Sequence, residues 1–217
     1  MNTPFTVEQF INVFHNYNLA VWPIQIVFYL LALLLIYLAI IRTSFSDKTI
    51  SAVLSFYWFW MGIIYHFGFF STINPAAYLF GIVFVIQGLL FLYYGVFLSK
   101  LSYNFRPDIY GLTGAFFILY ALLIYPLIGW IAGHTYPDSP TFGLPCPTTI
   151  FTLGLFLWTA KKLPIPILII PFLWSIIGTM AAFKFGIAED FGLLISGIVV
   201  FTLILNRDKH KGKFWND

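Results

Sequence analysis

From residue 19 to residue 205 the chain is a succession of apolar runs separated by proline, glycine and charge. No single motif constrains the fold as strongly. The runs cover residues 19–41, 50–70, 76–98, 109–132, 147–160, 165–185 and 190–205. A helix needs roughly 20 apolar residues to cross roughly 30 Å of hydrocarbon. Charged residues make up 9% of the chain and hydrophobic ones 60%. Soluble domains carry roughly a quarter charged residues, so a water-soluble surface is excluded. The expected fold is an all-α integral membrane protein with seven transmembrane helices.

Basic residues orient these crossings. Arg42, Lys48, Lys100, Arg106, Lys161, Lys162, Arg207, Lys209, Lys211 and Lys213 follow the first, third, fifth and seventh runs, and Lys184 alone falls on the other side. The positive-inside rule then places the N-terminus outside and the C-terminus in the cytoplasm. This pattern also accounts for the net charge of +3, so no nucleic-acid partner is implied. Residues 1–18 read as an amphipathic interfacial helix with a Thr6–Gln9 capping box, residues 19–205 as the membrane domain, and 206–217 as a basic cytoplasmic tail. The apolar face of the first helix is expected to carry Val7, Phe10, Ile11 and Phe14. No basic n-region or cleavage site marks residues 1–18 as a signal peptide.

The scarce polar groups His15, His66, Asn74, His134, Asp138, Cys146, Lys184, Glu189 and Asp190 map to the outer half, and His210 to the tail. The single cysteine lies in TFGLPCPTTIFT, residues 141–152. From Pro147 to the lysine pair the fifth run is too short to cross. Pro145 and Pro147, two apart, are expected to hold residues 141–147 out of a helix as a re-entrant loop. Cys146 is then the N-cap, beside unpaired N–H groups that favour a thiolate. Lys184 is expected to snorkel and Asp190 to cap the last helix.

Trp58, Gly62 and His66 recur every four residues and share a helix face. Gln87, central in the third run, must bond to another helix or to a bound solute. The expected ligand-binding residues are Trp58, His66, Gln87, His134, Asp138 and Cys146. Of these, His66, His134, Asp138 and Cys146 are ligand types suited to a soft transition metal, although no pair has a diagnostic spacing.

WFWMGIIYHFG in the second run and WSIIGTMAAFKFG in the sixth both carry W-x-x-x-G followed by a basic residue, Phe and Gly. Together with Pro23 and Pro147 near outer ends, this sets out a 3+1+3 parallel repeat. The layout resembles sugar-efflux facilitators and seven-helix vitamin-precursor transporters, which implies a solute site near the midplane. In VWPIQ, YHFGFF, INPAAYLFG, TFGLPCPTTIFT and WSIIGT the chain resembles an uncharacterised family of bacterial multi-pass membrane proteins. That resemblance implies the bacterial inner membrane and brings no substrate. The last run has no histidine pair of the kind found in membrane ceramidase-type zinc hydrolases.

Three classes of function fit. The first is a binder or transporter of a small solute or ion, through an outward-facing polar pocket. The second is a membrane-embedded enzyme with Cys146 as nucleophile and His66 or His134 as base. The third is an accessory subunit held in the bilayer as a homo-oligomer or with a membrane partner. A chromophore on Lys184 fits poorly, because that lysine sits at a helix end.

Overall fold

In a computed structural model that describes residues 5–211, the side chains of 210 and 211 excepted, the apolar runs become helices. They are α1 (Val7–Val21), α2 (Ile24–Ile40), α3 (Ser46–Thr72), α4 (Ala77–Phe97), α5 (Ile109–Ile131), α6 (Pro145–Leu157), α7 (Ile165–Phe185) and α8 (Phe191–Lys211). A single 3-10 turn, Ala188–Asp190, leads into α8. The described residues form no strand, only two isolated bridges, Tyr103 with Thr159 and Phe142 with Leu144.

Five helices are long and apolar enough to cross a membrane: α3, α4, α5, α7 and α8 with its leading turn. The bent pair α1–α2, which turns through 84°, makes a sixth if taken as one crossing. The remaining apolar helix, α6, has 13 residues. At 1.5 Å per residue it is roughly 20 Å long, short of a full crossing.

Several boundaries differ from the sequence expectation. α3 runs over Ser46–Thr72 rather than 50–70, and α6 over Pro145–Leu157 rather than 147–160. Two more differences lie at the ends of the expected membrane domain. Residues 19–21 belong to α1, and the chain turns at Trp22–Pro23 before α2 begins. The last helix runs past residue 205 to Lys211, because Arg207 and Asp208 are buried partners and not part of a solvated tail. The Arg207 guanidinium donates to Asp208 Oδ1 at 2.9 Å and to the Thr159 carbonyl at 3.0 Å, while Asp208 accepts from the Leu163 amide at 3.0 Å. A charge pair this deep persists because each member is hydrogen-bonded. Residues 212–217 of the expected tail lie outside the described residues.

α6 is the axis of the molecule. Every residue of it except Cys146 is buried. A helix apolar all round belongs inside a bundle or in lipid; here other helices enclose it. Two of its three hydroxyls are satisfied within the protein. Thr148 Oγ1 accepts from the Gly143 amide at 3.0 Å, and Thr152 donates to the Thr148 carbonyl at 2.8 Å and accepts from Trp58 Nε1 at 3.3 Å. The buried Thr149 Oγ1 has no partner.

Pro145 and Pro147 do not keep this segment irregular. Both sit in the first turn of α6, where an N–H has no intrahelical acceptor and its loss costs little. The N-cap is therefore Leu144, and Cys146 stands within the first turn.

The connections gather at two ends. At one, Arg42 bonds Asp47 and Ser102, the Asp47 carboxylate accepts from the Tyr103 amide at 2.8 Å, and Lys161 reaches the Ser99 carbonyl. At the other, residues 133–144 fold against α1. Asn18 Nδ2 donates to the carbonyls of Pro137 and Ser139 at 2.6 and 2.8 Å, and Thr141 donates to Asn18 Oδ1 at 2.7 Å.

Candidate functional site

Thr6 accepts from the Gln9 amide and Gln9 returns a bond to the Thr6 amide, so α1 starts with the expected capping box. Its apolar face turns onto the protein. Phe10, Val13, Phe14 and Tyr17 are buried in an aromatic cluster with Tyr65 and Phe70 of α3. Val7, expected on the same face, is exposed.

Beneath α1 lies a cavity of about 290 Å3. Phe10 and Phe14 roof it, Tyr65, Phe70, Phe80 and Trp174 form much of its wall, and His66, Cys146 and Asp190 supply polar groups. The space is mostly apolar with a few polar positions, which differs from the polar pocket expected. Asn74 and the exposed Lys184 stand at its margin.

His66 is carried on a π-helical stretch, Met61–Phe69. Such segments change the rotation per residue, and they recur at functional sites. Its ring meets Phe84 at 4.6 Å and Trp174 at 5.3 Å, both edge-on, with Phe80 at 5.8 Å. The residue is wholly buried and neither ring nitrogen has a hydrogen-bond partner. Trp174 Nε1 is unpartnered as well. Buried polar groups are nearly always paired, so three such atoms on one cavity wall are unusual.

Cys146 is the one residue of α6 with exposed surface, and it lines this cavity. The two prolines start a buried helix at the depth where its second residue reaches the cavity. Its neighbours are the Asp190 carboxylate and the Trp174 indole. Neither candidate histidine pairs with it: His66 has no partner, and His134 Nδ1 lies 3.2 Å from Glu189 Oε1. The thiol–imidazole pair required by the enzyme reading is not formed.

Other expected site residues serve elsewhere. Asp138 pairs with His15 at 2.9 Å, tying the loop to α1. Trp58 is buried against Phe84, outside the cavity wall, and Gln87 Nε2 bonds the Ile167 carbonyl at 2.9 Å, joining α4 to α7. Among the described residues, no group of three or more His, Cys, Asp or Glu could hold a metal ion. The four expected ligands therefore do not converge.

Asp190, expected as a helix cap, directly precedes α8 and also lines the cavity. Its Oδ1 accepts from the Tyr125 hydroxyl at 2.6 Å. The sequence signal available was an acidic pair at the head of an apolar run. Trp174 opens the W-x-x-x-G motif of the sixth run and Tyr65 opens YHFGFF, but neither motif marked its aromatic as a cavity residue.

A family model matches residues 7–213, nearly the whole of this helical chain. The chain belongs to DUF6064, a family of unknown function. The DUF6064 match takes in α1, the cavity and α8 together. No curated protein and no solved structure matches the chain.

Proposed function

We propose that this DUF6064 protein crosses a bacterial inner membrane seven times, with its N-terminus outside, and binds a small, largely apolar solute in the cavity beneath α1. Transport of that solute is the activity this reading favours. The observation that carries it is His66, a fully buried imidazole on the cavity wall with both nitrogens unpartnered. An unmet donor and acceptor in an apolar chamber destabilise the empty protein and become useful when a ligand supplies the partners.

Two further features support the crossing pattern. Ten of the eleven basic residues follow odd-numbered runs, as the positive-inside rule requires of a cytoplasmic side. The repeated W-x-x-x-G motifs also act alike. A Cβ on Gly62 would lie 2.8 Å from the Gly81 carbonyl of α4, and one on Gly178 would lie 2.8 Å from Leu193 of α8. Each glycine lets its helix close onto the next. In this reading α6 and residues 133–144 together make one crossing, part helix and part re-entrant chain.

The test is saturable binding of a panel of small apolar solutes to detergent-purified protein, followed by Trp fluorescence and thermal shift. Saturable binding that disappears in His66→Leu is expected. A folded wild type that binds no member of a broad panel would overturn the reading. Uptake into sealed vesicles then separates carrier from receptor.

A further inference from the structure

Asp190 is 2% exposed and lines the cavity, yet among the described residues no cation pairs with it. Arg207 is committed to Asp208 and Thr159, His134 to Glu189, and Lys184 stands exposed at the margin. The Tyr125 hydroxyl is one donor to the carboxylate and cannot balance a full charge. A buried carboxyl group is compensated by a proton or by a cation.

The surrounding wall distinguishes the ligands that fit. Tyr65, Phe70, Phe80 and Trp174 line the space, with Phe10 and Phe14 of α1. Ring faces carry negative potential and attract ammonium groups, most strongly where water is excluded. An anionic ligand would meet the carboxylate of Asp190 and the same ring faces, both repulsive. A neutral one would gain nothing from the negative charge and would leave Asp190 to be compensated by a proton. His66 adds an acceptor nitrogen that an N–H donor can use.

Resting on the binding reading above, we propose that the ligand is an organic cation, an apolar body ending in a protonated amine. The ammonium sits on Asp190 and the rings enclose the carbon skeleton. This second step rests on the unpaired carboxylate and the aromatic wall, where the binding reading rests on His66.

The experiment is equilibrium dialysis of the full chain in detergent micelles, with protein-free micelles as blank. Three probes share one skeleton: phenethylamine, phenethyl alcohol and phenylacetate. The amine is expected to bind at least about tenfold tighter than the alcohol, with phenylacetate weakest. Asp190→Asn is expected to bring the amine down to the level of the alcohol. Should that variant fail to fold, the amine-to-alcohol ratio of the wild type decides alone. Equal binding of amine and alcohol, both lost in His66→Leu, would overturn the cation assignment and leave the cavity reading standing. No saturable binding of any probe would overturn the cation assignment, while the broad solute panel judges the cavity reading.

Discussion

Gly114 of α5 and Gly154 of α6 face one another so closely that neither helix has room for a methyl group. A Cβ on Gly154 would stand 2.8 Å from the Gly114 carbonyl oxygen, and one on Gly114 would stand 2.6 Å from the Gly154 carbonyl oxygen. Close backbone approach through small residues is how helices associate where the hydrophobic effect does not drive them together. Backbone cannot swing aside as a side chain can. Gly154→Ala should therefore destabilise the protein by about 1–3 kcal/mol, as overpacking does. Gly68→Ala, whose nearest obstacle is the Ile63 carbonyl at 3.9 Å, should change little. Thermal unfolding in detergent compares the two.

The Asn18 side chain spends all its polar capacity on the loop that covers the cavity end, on Pro137, Ser139 and Thr141. Asn18→Ala removes three hydrogen bonds from part-buried groups, at about 0.5–1.5 kcal/mol for each. Limited proteolysis between residues 133 and 144 should accelerate in that variant. Unchanged cleavage would mean that the His15–Asp138 pair holds the loop by itself.

How much of this was legible in the sequence differs from residue to residue. The bounds of α4, α5 and α7 follow from apolar runs ended by proline, glycine and charge, and they come out within a residue or match. Hydropathy does not say what an apolar face touches, so the enclosure of α6 and the docking of α1 on the bundle were not readable. Pairings such as His15 with Asp138, 123 residues apart, depend on tertiary packing that no local spacing encodes. Cys146 was singled out from its flanking prolines, and it lines the cavity. Its neighbours, Asp190 and Trp174, come from α7 and the turn before α8, and a linear reading had no means to bring them together.

His66 should reverse the usual effect of a core substitution. Its two unpartnered nitrogens are a cost that the folded protein carries, and a buried unsatisfied polar group is worth about 1–3 kcal/mol. His66→Phe keeps an aromatic ring among Phe80, Phe84 and Trp174 and removes both nitrogens. The expected outcome is a higher unfolding temperature together with lost binding, the trade-off of a site built for function. A lower temperature in a variant that keeps its helical content would argue that the imidazole is satisfied by ordered water.

Access to Cys146 reports on the roof. The thiol lines the cavity, and Phe10 and Phe14 of α1 line the same space. A small neutral maleimide should label wild-type Cys146 more slowly than free cysteine. The double variant Phe10→Ala, Phe14→Ala should speed labelling about tenfold or more, and a phenethylamine-saturated protein should be slowed. If the roof variant and the wild type react alike, the thiol is reached from another direction.

The crossing pattern has its own test, independent of any ligand. In a Cys146→Ala background, single cysteines are introduced at Ser139, within the loop beside Asn18, and at Lys162, within the basic connection before α7. A membrane-impermeant thiol reagent added to intact cells should modify position 139 and spare position 162. Inverted vesicles should give the opposite result. Lysine and arginine next to a crossing are retained on the cytoplasmic side, and position 162 lies in such a cluster. Labelling of both positions from one side would place an even number of crossings between them. It would remove α6, with the loop that precedes it, from the set of membrane-spanning segments.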